Sequence, residues 1–133
     1  MRRRILLSAI PFAAGLVALA APMAFAATQA PYTDAAFAAA QSAGKPVLIE
    51  IDASWCPVCA KQRPILAQLM TDPALAKLVI YKVDFDSQKD VVRAMGANMQ
   101  STLIVFHGKT EKGRSTGETN PDAIKALLLK SNA

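Results

Sequence analysis

Cys56 and Cys59 are the only cysteines in the chain, and only Pro57 and Val58 separate them. Two thiols at this spacing can face each other across the start of a helix and close a small disulfide loop. Such a pair is a two-electron redox switch. The run before it, Pro46-Val47-Leu48-Ile49-Glu50-Ile51, reads as a buried strand, and the run after it as a helix. A disulfide closing so few residues restrains the unfolded chain little, because such stabilisation grows with loop length. Chemistry is therefore a better account of the motif than a structural staple. Cys56, at the helix N-terminus, is the expected attacking thiol, since free N–H groups and the helix dipole favour a thiolate there. Cys59, one turn inside and more shielded, is the expected resolving thiol.

The elements that must position this pair follow from pattern. Ala27 to Tyr32 is a lead-in that suits an edge strand. Thr33 or Asp34 caps a helix through Ala35–Gln41, ended by Gly44. Val47–Ile51 is the central strand, apolar as expected of a strand covered on both faces. A helix follows from about Pro57 to Met70, with Pro57 suited to the first turn and Pro64 inside it as a kink. Leu78–Asp84 reads as a second inner strand, Ser87–Met95 as a helix, and Gly96–Gln100 as a loop. Thr102–Phe106 pairs with Glu111–Thr116 across a turn containing Gly108. Asn120 caps, and Pro121 begins, a last helix through Leu129. This order implies an α/β sandwich with helices on both faces of a sheet.

The first residues read as a targeting segment. Met1-Arg2-Arg3-Arg4 is a basic start, Ile5 to Ala21 is apolar and uncharged, and Ala24-Phe25-Ala26 presents small residues at the positions a signal peptidase reads. Cleavage is expected after Ala26, giving a signal peptide at 1–26 and one domain at 27–133. Pro11, Pro22 and the shortness of the apolar stretch argue against a retained membrane anchor. The expected destination is the periplasm, with an extracellular one as the alternative, and general secretion is favoured over the twin-arginine route. The formal net charge of +5 includes Arg2, Arg3 and Arg4, so the remaining domain carries only +2. That balance gives no reason to propose nucleic acid as a partner.

Other chemistries find little support. Residue 60 is Ala, so the motif is not the attachment signal of a c-type haem. Two cysteines with no second cluster do not make a closed zinc site. His107, the only histidine, stands at a strand end beside a turn and reads as an exposed polar residue. Met95 and Met99 suit either core filling or a groove lining. No cofactor is expected beyond the dithiol itself.

The residues in register resemble the thioredoxin superfamily over essentially all of 27–133. Trp55 and the dithiol are one anchor. Pro64 matches the family's helix proline, Glu50 its buried acid, Lys82 the lysine that pairs with that acid, and Gly117 the glycine after the hairpin; Thr102–Phe106 matches its next strand. The resemblance implies a three-layer sandwich with a central mixed sheet of four or five strands. It implies a catalytic set of Cys56, Cys59, Glu50 and Lys82, in which Glu50 takes a proton from Cys59 and Lys82 moderates its acidity. It also implies a substrate groove formed by Trp55, Pro57, Gln100, Ser101, Thr102 and Gly117. Two positions depart from the pattern. Pro57-Val58 replaces the usual Gly-Pro, and Ser101 replaces a cis-proline. A trans bond is expected at Ser101, because a cis bond without proline costs about 2.5–4 kcal/mol. Its hydroxyl can donate to the Cys56 thiolate or simply fill the place of the proline. Asp52 should share a sheet face with Glu50, where it is either a second negative charge that opposes the thiolate or, the favoured reading, a residue solvated at the strand end.

The expected function is a periplasmic thiol–disulfide oxidoreductase exchanging electrons with protein thiols and disulfides. Reduction is favoured over oxidation, because no cation between the cysteines stabilises the thiolate and nearby acids oppose it. Reductive work would draw electrons from a membrane partner, and a monomer is expected. The alternatives are a module holding copper, zinc or an iron–sulfur centre through the same two cysteines, and a binding module without redox activity.

Overall fold

The computed structural model describes residues 26–133. Residues 1–25 of the expected signal segment lie outside the described residues. Five strands and four helices follow in order: β1 (Thr28–Pro31), α1 (Asp34–Ser42), β2 (Pro46–Asp52), α2 (Pro57–Leu69), β3 (Val79–Asp84), α3 (Lys89–Ala94), β4 (Thr102–His107), β5 (Thr110–Thr116) and α4 (Pro121–Leu129). Single 3-10 turns follow α2, at Pro73–Leu75, and α4, at Lys130–Asn132.

The helix boundaries have local causes. The Thr33 hydroxyl accepts the Ala36 N–H at 3.1 Å and starts α1. The Asn120 side chain accepts the N–H groups of Asp122 and Ala123, and Pro121 takes the first position of α4, where its missing N–H is not needed. Gly44, with φ +67°, turns the chain out of α1 into β2. α2 runs through Pro64 to Leu69. α3 is shorter than its pattern suggested. The Asp84 carboxylate accepts the N–H groups of Asp86 and Ser87 and the Ser87 hydroxyl, which holds these residues in a turn ahead of the helix.

The sheet order is β1-β3-β2-β4-β5. β1 and β2 run parallel to β3, β4 antiparallel to β2, and β5 antiparallel to β4. Alternation along the strands divides the core into two. Leu48, Ile80, Leu103 and Val105 pack with Leu66 of α2 and Ile124 and Leu128 of α4. Val47, Ile49, Ile51, Tyr81, Val83, Ile104 and Phe106 face the other way, against Ala40 of α1 and Val92 of α3. The expected three-layer sandwich with a central mixed sheet is the observed one, and of the four or five strands implied the sheet has five. Every residue of β2 is buried, including Glu50 and Asp52, which lie two and four positions after Leu48 and so share its face, the one toward α2. Among the described residues no helix is long and apolar enough to cross a membrane.

Candidate active site

β2 delivers the chain into a tight turn whose closing bond runs from the Cys56 N–H to the Ala53 carbonyl, at 3.1 Å. Cys56 then caps α2 with extended backbone, and Pro57 occupies the first helical position. The cap is unusual in its atom. A sulfur does what a serine or aspartate oxygen ordinarily does: Cys56 Sγ accepts the Cys59 N–H at 3.2 Å. Both cysteines are free thiols. They are buried together with Ala53 under Val58 and Phe85. Accessibility does not separate them, since Cys56 is 2% and Cys59 1% exposed.

The difference between them is electrostatic. Burial alone would raise the Cys56 thiol. Hydrogen bonds from the Cys59 thiol and from the N–H groups of Cys59 and Val58 outweigh it, and bring Cys56 below its ordinary value. Cys59 is pushed up to about 12, first by burial and then by its hydrogen bond to Cys56. One sulfur is poised to ionise and the other to keep its proton. Asp52 is the acid whose charge opposes ionisation at both.

The acids are arranged differently from the expectation. Glu50 is 2% exposed, and its partner is Gln29 on the edge strand β1, whose Nε2 donates to Glu50 Oε2 at 2.9 Å. Burial raises the Glu50 carboxyl, Lys82 pulls it back and Asp52 pushes it further up. Lys82 stands beside Glu50 in the β2–β3 register, but its ion pair is with Asp52, Nζ to Oδ2 at 3.5 Å. The expected Glu50–Lys82 pairing is thus corrected. The ammonium reaches the carboxylate nearer the strand end, where it keeps part of its hydration. Asp52 is corrected as well. It is buried rather than solvated, and Arg63 Nη2 donates to its Oδ1 at 3.0 Å.

Ser101 has φ +58°, and no cis peptide bond occurs among the described residues. Its hydroxyl donates to the Gln100 carbonyl at 2.5 Å, which corrects the alternative that it serves the Cys56 sulfur. The Ser101 carbonyl accepts from Gln62 Nε2 at 3.2 Å and from the Gly117 N–H at 3.0 Å. Gly117 itself has φ +75°. Thr102 is buried, its hydroxyl donating to the Met99 carbonyl at 2.8 Å. Outside these, Trp55 is 58% exposed and its indole N–H donates to Asp86 Oδ2 at 2.7 Å, while Met99 is 48% exposed. Pro57 is exposed and Gln100 partly buried.

Two residues of the site escaped the sequence reading. Gln62 is 1% exposed and reaches from α2 to Ser101 and to the Glu118 carbonyl, at 2.9 Å. Arg63 ties α2 to Asp52 and to the Ala53 carbonyl. Their spacing was the available signal: three and four residues beyond Cys59, both fall on the helical face that Cys59 occupies. Other candidates fall away from the dithiol or into the core. His107 is exposed, at the far end of β4, with Nδ1 2.8 Å from the Ser131 carbonyl. Met95 packs beside Val92 in the second core. Among the described residues, no three His, Cys, Asp or Glu side chains gather as a metal site would require.

Comparison with known proteins places this geometry. The family model for thioredoxin matches residues 28–130. A thioredoxin of Mycobacterium tuberculosis (strain H37Rv) is 36% identical over 99 residues, which cover 74% of this chain and 81% of that protein. An H-type thioredoxin of Chlamydomonas reinhardtii is 30% identical over 100 residues, 75% of this chain and 87% of that one. The crystal structure of Trxlp from Edwardsiella tarda EIB202 is 44% identical, covers 76% of this chain and 97% of its own, and superposes with a TM-score of 0.73.

Proposed function

This chain belongs to the thioredoxin family, as a thiol–disulfide oxidoreductase with a Cys56–Cys59 pair, and we propose that it acts as an exported, periplasmic reductant of protein disulfides. The observation that carries the reading is the unequal dithiol: Cys56 Sγ held at the helix cap by the Cys59 N–H, with its acidity raised while that of Cys59 is suppressed.

The Cys56 thiolate attacks one sulfur of a substrate disulfide. A mixed disulfide forms and the second substrate sulfur leaves as a thiolate. Cys59 then loses its proton, for which Glu50 is the proposed acceptor, because a buried carboxyl of raised pKa can hold it. The Cys59 thiolate attacks Cys56 Sγ, the Cys56–Cys59 bond closes, and the substrate departs with two electrons gained. Lys82 tempers the Glu50 carboxyl. The substrate segment lies across Trp55, Pro57, Gln100, Ser101 and Gly117, with Thr102 supporting the loop from below. Reduced dithiol is restored by electrons from a membrane thiol partner, and the protein works as a monomer.

The reducing direction is supported by two features. No cation lies between the cysteines, and Asp52 opposes the thiolate. A less stabilised thiolate makes the disulfide less oxidising. Export is supported by Arg2-Arg3-Arg4 and Ala24-Phe25-Ala26, with the domain at 27–133 as the mature protein.

Reduction of insulin, followed with and without Cys56→Ser, tests the activity; the variant should be inactive. Titration of the pair against glutathione tests the direction. A potential near that of thioredoxins is expected, and one close to the strong periplasmic oxidants, about −120 mV, would reverse it. Stoichiometric metal in protein purified under reducing conditions, with no reductase activity, would replace this reading by a metal-binding one. A mature chain beginning at Ala27 in a periplasmic fraction is the expected result for export.

A further inference from the structure

Arg63 lies one helical turn beyond Cys59 on the same face of α2. Its Nη2 donates to Asp52 Oδ1 at 3.0 Å and to the Ala53 carbonyl at 2.9 Å. That same carbonyl accepts the Cys56 N–H at 3.1 Å, and Ala53 is packed against both cysteines. A single guanidinium nitrogen thus joins the carboxylate that bears on the sulfurs to the turn that aims the attacking one.

We propose that Arg63 is a positioning residue of the dithiol: it screens the Asp52 carboxylate from both sulfurs and clamps the Ala53 turn, and so sets how reducing the pair is. Arg63 touches no reacting atom in this account and works through its two partners. The charged and titratable groups around the dithiol are Asp52 and Glu50 from β2, Lys82 from β3, and Arg63 from α2 itself. Lys82 is the second cation on Asp52, at 3.5 Å; its side chain is about as exposed as that of Arg63, 38% against 34%, and what sets Arg63 apart is the shorter, hydrogen-bonded contact at 3.0 Å and its second bond to the Ala53 carbonyl.

The sign follows. With the guanidinium gone, the Asp52 charge faces the sulfurs with Lys82 as its remaining partner. The Cys56 thiolate is then less favoured, the reduced form loses stability relative to the disulfide, and the pair becomes more reducing. Loss of the Asp52 charge does the opposite. The inference rests on the redox reading above for its consequence, not for its geometry.

The test compares Arg63→Met, Asp52→Asn, the double variant and Arg63→Lys in the whole domain. Thiolate absorbance against pH reads Cys56 ionisation, and equilibration with glutathione reads the disulfide. Arg63→Met should cut the Cys56 thiolate fraction about threefold at pH below its midpoint, and favour the disulfide by a similar factor at pH above that midpoint, where the thiolate is the reduced form. Asp52→Asn should shift both the other way. In the Asp52→Asn background, Arg63→Met should have less than about half its effect. Arg63→Lys should recover most of the wild-type ionisation, which a purely structural role would not require. An Arg63→Met variant with unchanged ionisation, or one with equal shifts in both backgrounds, overturns the proposal. If the wild-type pair does not exchange with glutathione at all, the redox reading falls, and the thiolate absorbance still decides the role of Arg63.

Discussion

Gln62→Leu removes the one side chain that ties α2 to both loops beside the dithiol. Gln62 Nε2 donates to the Ser101 carbonyl at 3.2 Å and to the Glu118 carbonyl at 2.9 Å, and the residue is 1% exposed. Leucine keeps the bulk and loses both bonds, at about 1 kcal/mol each. The Ser101 carbonyl retains the Gly117 N–H, whereas the Glu118 carbonyl is left without its side-chain donor, a further cost of about 1 kcal/mol. Burying an apolar side chain in place of an amide returns about 1 kcal/mol. The net loss is about 2 kcal/mol, or about 8–16 °C in Tm for a domain of this size. Urea unfolding of the reduced protein should show a lower midpoint with an unchanged slope. The two loops also carry Ser101 and Gly117, so KM for a disulfide peptide should rise more than kcat falls. A Gln62→Leu variant with a wild-type urea midpoint would refute the reasoning, because it would mean these two buried bonds hold nothing in place.

The remaining predictions concern titration, reactivity and capping. The Glu50 carboxyl is raised in the folded state, so its contribution to stability is complete below its unfolded value and is lost as pH climbs through the folded one. Glu50→Gln should therefore gain on the wild type with rising pH and be the more stable at pH 8 by on the order of 1 kcal/mol; urea midpoints from pH 4 to 8 that run parallel would contradict this. With Cys59 pushed up to about 12, limited alkylation between about pH 7 and 9 should label Cys56 alone, and peptide mapping that finds equal labelling would contradict the asymmetry. Asn120→Ala removes the acceptor for two N–H groups at the start of α4 and should cost about 1 kcal/mol in urea unfolding with redox activity retained.

The sheet and its helices were legible because each carries its own local signal. β2 reads from an apolar run interrupted only by Glu50 before its end at Asp52, α2 and α4 from prolines at their first turns, and α1 from its threonine cap. The dithiol was legible because its two members sit within one turn. What escaped was the wiring among side chains that sequence separates. Glu50 and Lys82 are register neighbours, and adjacency suggested a pair, but adjacency does not say which of two carboxylates a flexible ammonium will choose. Asp52 looked solvated because its strand ends there, and only the packing of α2 over β2 brings Arg63 to it. Gln29 reaches Glu50 from an edge strand 21 residues away in sequence. Ser101 showed that a proline had been lost, but its left-handed backbone depends on the carbonyl bonds from Gln62 and Gly117.

Trapping the covalent intermediate with a model disulfide peptide tests the division of labour between the two sulfurs most directly. The Cys59→Ser variant should accumulate a mixed disulfide with the peptide attached at Cys56, and Cys56→Ser should accumulate almost none at neutral pH. Adduct at Cys59 forming as fast as adduct at Cys56, or no adduct on either variant, would contradict the account.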